Sequence, residues 1–260
     1  MPARTIAFLL LTLALPAGAR DPLRRLTLTV EKSEREALIH APAAAKEKPA
    51  PLVFVFHGHG GNMRQAARSF SLHTHWPDAI TVYPQGLPTP GRLTDPEGKR
   101  AGWQHAAGDL DDRDLKFFDA LLTRLKGDYK VDPRRIYSTG HSNGGAFTYL
   151  LWAGRSDHFA AFAPSAAVMR RADKLQPKPA MHLAGQQDAL VKYQWQELMM
   201  RALRRRNGCD AAGQSYGPHA TLYPSKAGTP VVTFIHPGGH EFPRAAVPLI
   251  VKFFQQHSQK

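Results

Sequence analysis

Leu52-Val53-Phe54-Val55-Phe56 is apolar at every position, and a strand with one solvated face would alternate apolar and polar residues instead. A strand of this kind has both faces covered, so helices must lie above and below it. The remainder of the chain agrees with that demand. Ile80 to Tyr83, 135 to 139, 159 to 163, 180 to 184 and 230 to 235 read as further strands. Helical spacing occupies the stretches between them: 63 to 72, 112 to 126, 145 to 153, 191 to 206 and 244 to 256. Strands alternating with helices predict an α/β fold with a mostly parallel central sheet and helices on both faces. Leu26 to Val30 and Glu36 to His40 precede this pattern as an antiparallel start, and residues 84 to 108, rich in Pro and Gly, form a long loop of the kind that often carries function.

The first 19 residues have a different character. Arg4 is followed by the apolar run Ile6 to Leu15 and by Pro16-Ala17-Gly18-Ala19, the pattern of a secretory signal peptide cut after Ala19. Ten apolar residues fall short of the ~20 that span a bilayer. A single α/β domain over 20 to 260, exported to the periplasm or beyond, is the expectation. Cys209 is the only cysteine, so no intrachain disulfide can form and stability must come from the core. The net charge of +13 raises the question of nucleic acid, but the cations are spread along the chain, and no zinc-finger, RNA-binding or basic-zipper spacing accompanies them. A solvated cationic face is preferred to a nucleic-acid partner.

Residues 136 to 148, Ile-Tyr-Ser-Thr-Gly-His-Ser-Asn-Gly-Gly-Ala-Phe-Thr, place Ser142 at the joint between a predicted strand and a predicted helix. A serine hydroxyl becomes a useful nucleophile only when it protrudes from a sharp turn and meets a base. Such a turn crowds strand against helix, which explains Gly140 and Gly144 two residues to either side; the segment fits the G-x-S-x-G elbow. The alternative is a glycine-rich turn in which Ser142 caps a helix. An elbow needs an oxyanion hole, and its first donor is expected from the Asn143 N–H. The second should come from the loop after an earlier strand, His57-Gly58-His59-Gly60-Gly61, with the His59 N–H favoured. A rival reading takes His57-x-His59 with His73-x-His75 as metal ligands, though no carboxylate or cysteine nearby completes a set. In the expected chain order the acid is Asp188 and the base His240, with His236 and His219 as competing bases; Asp188 could instead cap the helix near Leu190.

Together these segments resemble the α/β-hydrolase superfamily, and more narrowly its secreted polyhydroxybutyrate depolymerase and feruloyl esterase group. The resemblance rests on His57-Gly58-x-Gly60-Gly61-Asn62, Tyr83-Pro84-Gln85-Gly86, Asp132-Pro133-x-Arg135-Ile136-Tyr137, Gly140 to Gly145 and Gly238-Gly239-His240. It implies an α/β-hydrolase fold and a serine carboxylic-ester hydrolase with Ser142 as nucleophile, Asp188 as acid and His240 as base, needing neither metal nor cofactor. It further implies that Trp103 lines the acyl-side cleft, against the alternative that Trp103 fills core space. Relatives often pair the cysteine of a segment like Asn207-Gly208-Cys209, and here it has no partner. The expected substrate is a small or oligomeric ester. Acyl transfer to another alcohol and a catalytically silent cell-surface binding protein are the competing functions.

Overall fold

The computed structural model describes residues 23–91 and 94–259; the expected signal peptide, residues 1 to 19, lies outside them. The strands are β1 (Arg24–Val30), β2 (Ser33–His40), β3 (Ala50–Phe56), β4 (Ile80–Pro84), β5 (Leu87–Pro88), β6 (Ala101–Gly102), β7 (Val131–His141), β8 (Ala161–Ser165), β9 (Ala180–Gly185), β10 (Gln214–Gly217), β11 (Ala220–Tyr223) and β12 (Val231–His236). The helices are α1 (Met63–Phe70), α2 (Leu72–His75), α3 (Arg113–Asp128), α4 (Asn143–Arg155), α5 (Tyr193–Arg206) and α6 (Val247–Gln255).

Ten strands form one sheet in the order β1-β2-β4-β3-β7-β8-β9-β12-β11-β10. The inner six, β4 to β12, run parallel, and an antiparallel pair closes each edge. The sheet is therefore mostly parallel, and helices cover both faces. The apolar run of β3 divides its side chains by parity, as strand geometry requires. Leu52, Phe54 and Phe56 join the layer made by α3, α4 and α5, through Phe118, Phe147 and Leu203 among others. Val53 and Val55 join the opposite layer, with Ala66 and Phe70 of α1 and Ile250 and Phe254 of α6.

Two features differ from the sequence expectation. The hairpin β10–β11 is absent from it, because these strands are only four residues each and bury only Tyr216 and Ala220. The long loop 84 to 108 is tied near its ends by the β5–β6 pairing of Leu87 with Gly102. That pairing draws the loop back across the C-terminal ends of β3 and β7, the edge where parallel sheets place their ligands.

Candidate active site

Ser142 stands between the last residue of β7 and the first of α4, with φ 56° and ψ −120°. A non-glycine residue reaches that conformation only where its surroundings enforce it. Here they do. A Cβ on Gly140 would strike the Gly144 carbonyl, and one on Gly144 would lie 2.5 Å from the His57 carbonyl oxygen. The Ser142 N–H donates to the Ser165 carbonyl at 2.8 Å, which anchors the turn to β8. The side chain makes no helix-capping bond. Its Oγ instead lies 2.8 Å from His240 Nε2.

His240 Nδ1 is 2.8 Å from Asp188 Oδ2, so the carboxylate holds the proton on Nδ1 and leaves the Nε2 lone pair facing the serine. Asp188 is buried and uses both oxygens. Oδ1 accepts the Leu190 and Val191 N–H groups, each at 2.9 Å, while Oδ2 also accepts Gln196 Nε2 at 3.0 Å. The turn-capping role and the imidazole-holding role thus belong to the same carboxylate, one oxygen each. His236 and His219, the alternative bases, do not bond Ser142 among the described residues; His236 Nδ1 instead accepts the Gly238 N–H at 3.2 Å. Neither element that supplies Asp188 and His240 is near Ser142 in sequence. The parallel order β7-β8-β9-β12 brings their following loops side by side.

Gly58, His59 and Asn143 line the cavity beside Ser142. Among the described residues the His59 and Asn143 N–H groups have no protein acceptor. Asn143 is fixed by its own side chain: Oδ1 accepts the Trp103 N–H at 2.7 Å and Nδ2 donates to the Trp103 carbonyl at 2.9 Å. This geometry corrects the expectation for Trp103. Its indole is fully buried, stacked on Phe147 at 5.3 Å and edge-on to Phe56 at 5.1 Å, and is absent from the cavity wall. Its Nε1 donates to the His57 carbonyl at 2.9 Å. A large aromatic next to an apolar strand end found more area to bury in the core than in a cleft. Trp103 braces Asn143 and the His57 loop from behind.

The metal alternative meets a similar obstacle. His57 Nε2 accepts the Gly86 N–H at 2.9 Å and Nδ1 donates to the Gly58 carbonyl at 2.8 Å, so neither nitrogen has a lone pair to spare. Burial pushes His57 down to about 4, which keeps it neutral in that bridging role. Among the described residues no three His, Cys, Asp or Glu side chains converge on a metal-sized space. His141, inside the elbow, is a further residue that sequence reading passed over. Burial foremost, then the neighbouring His240, pushes its imidazole down to about 4. It contacts Ser165 Oγ at 3.2 Å and packs 5.1 Å from the His240 ring. Its position between two motif residues was the available signal.

The cavity measures about 950 Å³ and runs from Ser142 and His240 past Ala146 and Leu150 to Arg155 and Arg170. An imidazole held by a carboxylate, a strained serine, two unoccupied N–H donors and a cavity of this size can together perform acyl transfer through a serine ester.

No protein-family model matches the chain. It is 24% identical over 217 residues to the probable feruloyl esterase C of Aspergillus flavus, covering 80% of this chain and 77% of that one. It is 27% identical over 202 residues to the bifunctional acetylxylan esterase/xylanase XynS20E of Neocallimastix patriciarum, covering 71% of this chain but spanning only 27% of that longer protein. Among solved structures, a CE1 ferulic acid esterase from Anaeromyces mucronatus, in complex with ferulic acid, superposes with a TM-score of 0.59 at 16% identity, over 94% of this chain and 93% of that one. The chain thus has the α/β-hydrolase fold of these solved esterases, and in sequence it is similar to feruloyl and acetylxylan esterases.

Proposed function

We propose that the protein is an exported serine hydrolase of carboxylic esters that works through an acyl-enzyme. The observation that carries this reading is the continuous relay Oγ–Nε2 and Nδ1–Oδ2, each at 2.8 Å, with Ser142 and His240 in the wall of the cavity. Ser142 attacks the ester carbonyl while His240 takes its proton. The tetrahedral oxygen accepts hydrogen bonds from the Asn143 and His59 N–H groups, which need no reorganisation because nothing else occupies them. The carbon–oxygen bond to the alcohol then breaks, and His240 returns the proton to the departing oxygen. Water repeats the sequence on the acyl-enzyme and releases the acid and free Ser142. Every proton taken by His240 is given back, so the cycle needs no cofactor.

The relatives named for feruloyl and acetylxylan ester cleavage support an ester rather than an amide substrate. Two substrate types fit the apolar stretch of the cavity: an aromatic acyl group such as ferulate, and a hydroxyalkanoate oligomer. Initial rates on methyl ferulate, 4-nitrophenyl butyrate and a 3-hydroxybutyrate oligomer test the reading, with Ser142→Ala as control. Turnover of at least one ester, reduced about 10⁶-fold in the variant, is expected. Ester hydrolysis that survives in Ser142→Ala would sink it. Export is tested separately by N-terminal sequencing of the mature protein, which should begin at Arg20.

A further inference from the structure

Both long walls of the cavity change character in the same direction. On α4 the lining residues Ala146, Leu150, Ala153 and Gly154 form one stripe at helical spacing that ends in Arg155. The segment after β8 lines the opposite wall with Ala166, Ala167, Val168 and Met169, and then Arg170 and Arg171. Lys174 completes the far rim. From Ala146 to Gly154 the helix rises about 12 Å, so the cationic end lies more than a bond or two from the serine.

The cations are not equivalent. Arg155 is held by Asp119 through two bonds, at 2.8 and 2.7 Å, and Arg171 by Asp173 at 2.8 Å. Arg170 and Lys174 form no salt bridge among the described residues, although the Asp173 carboxylate held by Arg171 also feels the charge of Lys174, and both are exposed at the rim. Asp112 is the acid in the lining, and its Oδ1 already accepts the Gly108 N–H and Gln104 Nε2, each at 2.8 Å. An apolar corridor leading from a nucleophile to two exposed cations outside any salt bridge suits a chain that is apolar along its length and anionic at its end.

Building on the ester-hydrolase reading, we propose that the site selects esters carrying a terminal carboxylate, with the apolar chain lying along α4 and the carboxylate meeting Arg170 and Lys174. This narrows the substrate from esters in general to acid-terminated ones, and it gives part of the positive charge a use.

The test compares matched esters. The mono-4-nitrophenyl ester of sebacic acid is set against its methyl-capped counterpart, placing the carboxylate on the acyl half. The butyrate ester of ω-hydroxydecanoic acid is set against that of its methyl ester, placing it on the alcohol half. In one of these arms kcat/KM should favour the free acid about three- to tenfold at low salt, as expected of two partly exposed ion pairs. The ratio should fall towards one at about 0.5 M salt and in Arg170→Ala/Lys174→Ala, whose exposed side chains carry little of the fold. A ratio near one in both arms, or one that survives the double substitution, overturns the proposal while ester hydrolysis stands. No turnover of any of the four esters, with no labelling of Ser142 by a fluorophosphonate, overturns the hydrolase reading and this proposal together.

Discussion

Ser142 holds a left-handed backbone because Gly140 and Gly144 let β7, α4 and the end of β3 meet almost in contact. Gly144→Ala should therefore destabilise the protein by about 3 kcal/mol, the upper range for overpacking, and misplace Oγ even in the fraction that folds. Urea denaturation and the rate per folded molecule would separate the two effects. Asp188→Asn keeps the shape but offers an amide where His240 needs a carboxylate; turnover should fall about 10⁴-fold. Ser142, Asp188 and His240 were legible because each sits in a short backbone motif at the end of a predicted strand. Trp103 was misread for the opposite reason. Whether an indole faces a cleft or Phe56 and Phe147 depends on contacts 40 or more residues away, and no local pattern encodes them. Arg170 and Lys174 carried no signal at all, being two cations in a chain with 34.

At the scale of elements, the strap from β6 to α3 shows how the site is held from behind. Arg35 on β2 donates to Asp114 Oδ1 at 2.7 Å, both side chains being almost fully buried. Asp114 Oδ2 accepts the Gln104 N–H at 2.9 Å, and Gln104 Oε1 accepts the Asp114 N–H at 3.0 Å. This lock fixes the residue next to Trp103, and through it Asn143. Asp114→Ala leaves the Arg35 guanidinium buried and unpaired, and should cost about 3–5 kcal/mol in denaturant unfolding. Some loss of kcat at temperatures where the variant remains folded should accompany it. The central strands and the helices could be read from apolar runs and helical spacing, because burial on both faces or along one stripe writes itself into local composition. The hairpin β10–β11 could not, since an edge pair needs few apolar residues and draws its order from backbone bonding to β12.

For the whole molecule, acid should be destabilising in a defined window. Burial pushes His57, His141, His182 and His257 down from 6.5 to about 4. The unfolded chain takes up these protons as the pH drops below about 6.5, whereas the folded chain refuses them until about 4. Their stabilising contribution is thus complete above about 6.5 and is lost as the pH falls through about 4, several kcal/mol in total. Urea midpoints should hold level from about pH 7.5 to 6.5 and decline from there to about 4.5; a profile flat throughout would show that these imidazoles are not buried neutral. The same sheet order that buries them brings the loops after β7, β9 and β12 to one edge, where three side chains distant in sequence form one relay. Mass spectrometry of the protein, quenched in acid during turnover of a slowly deacylated ester, tests that relay most directly. The account predicts one acyl group per chain, on the peptide containing Ser142, and none in His240→Ala; an adduct on another residue, or unmodified protein during active turnover, would contradict it.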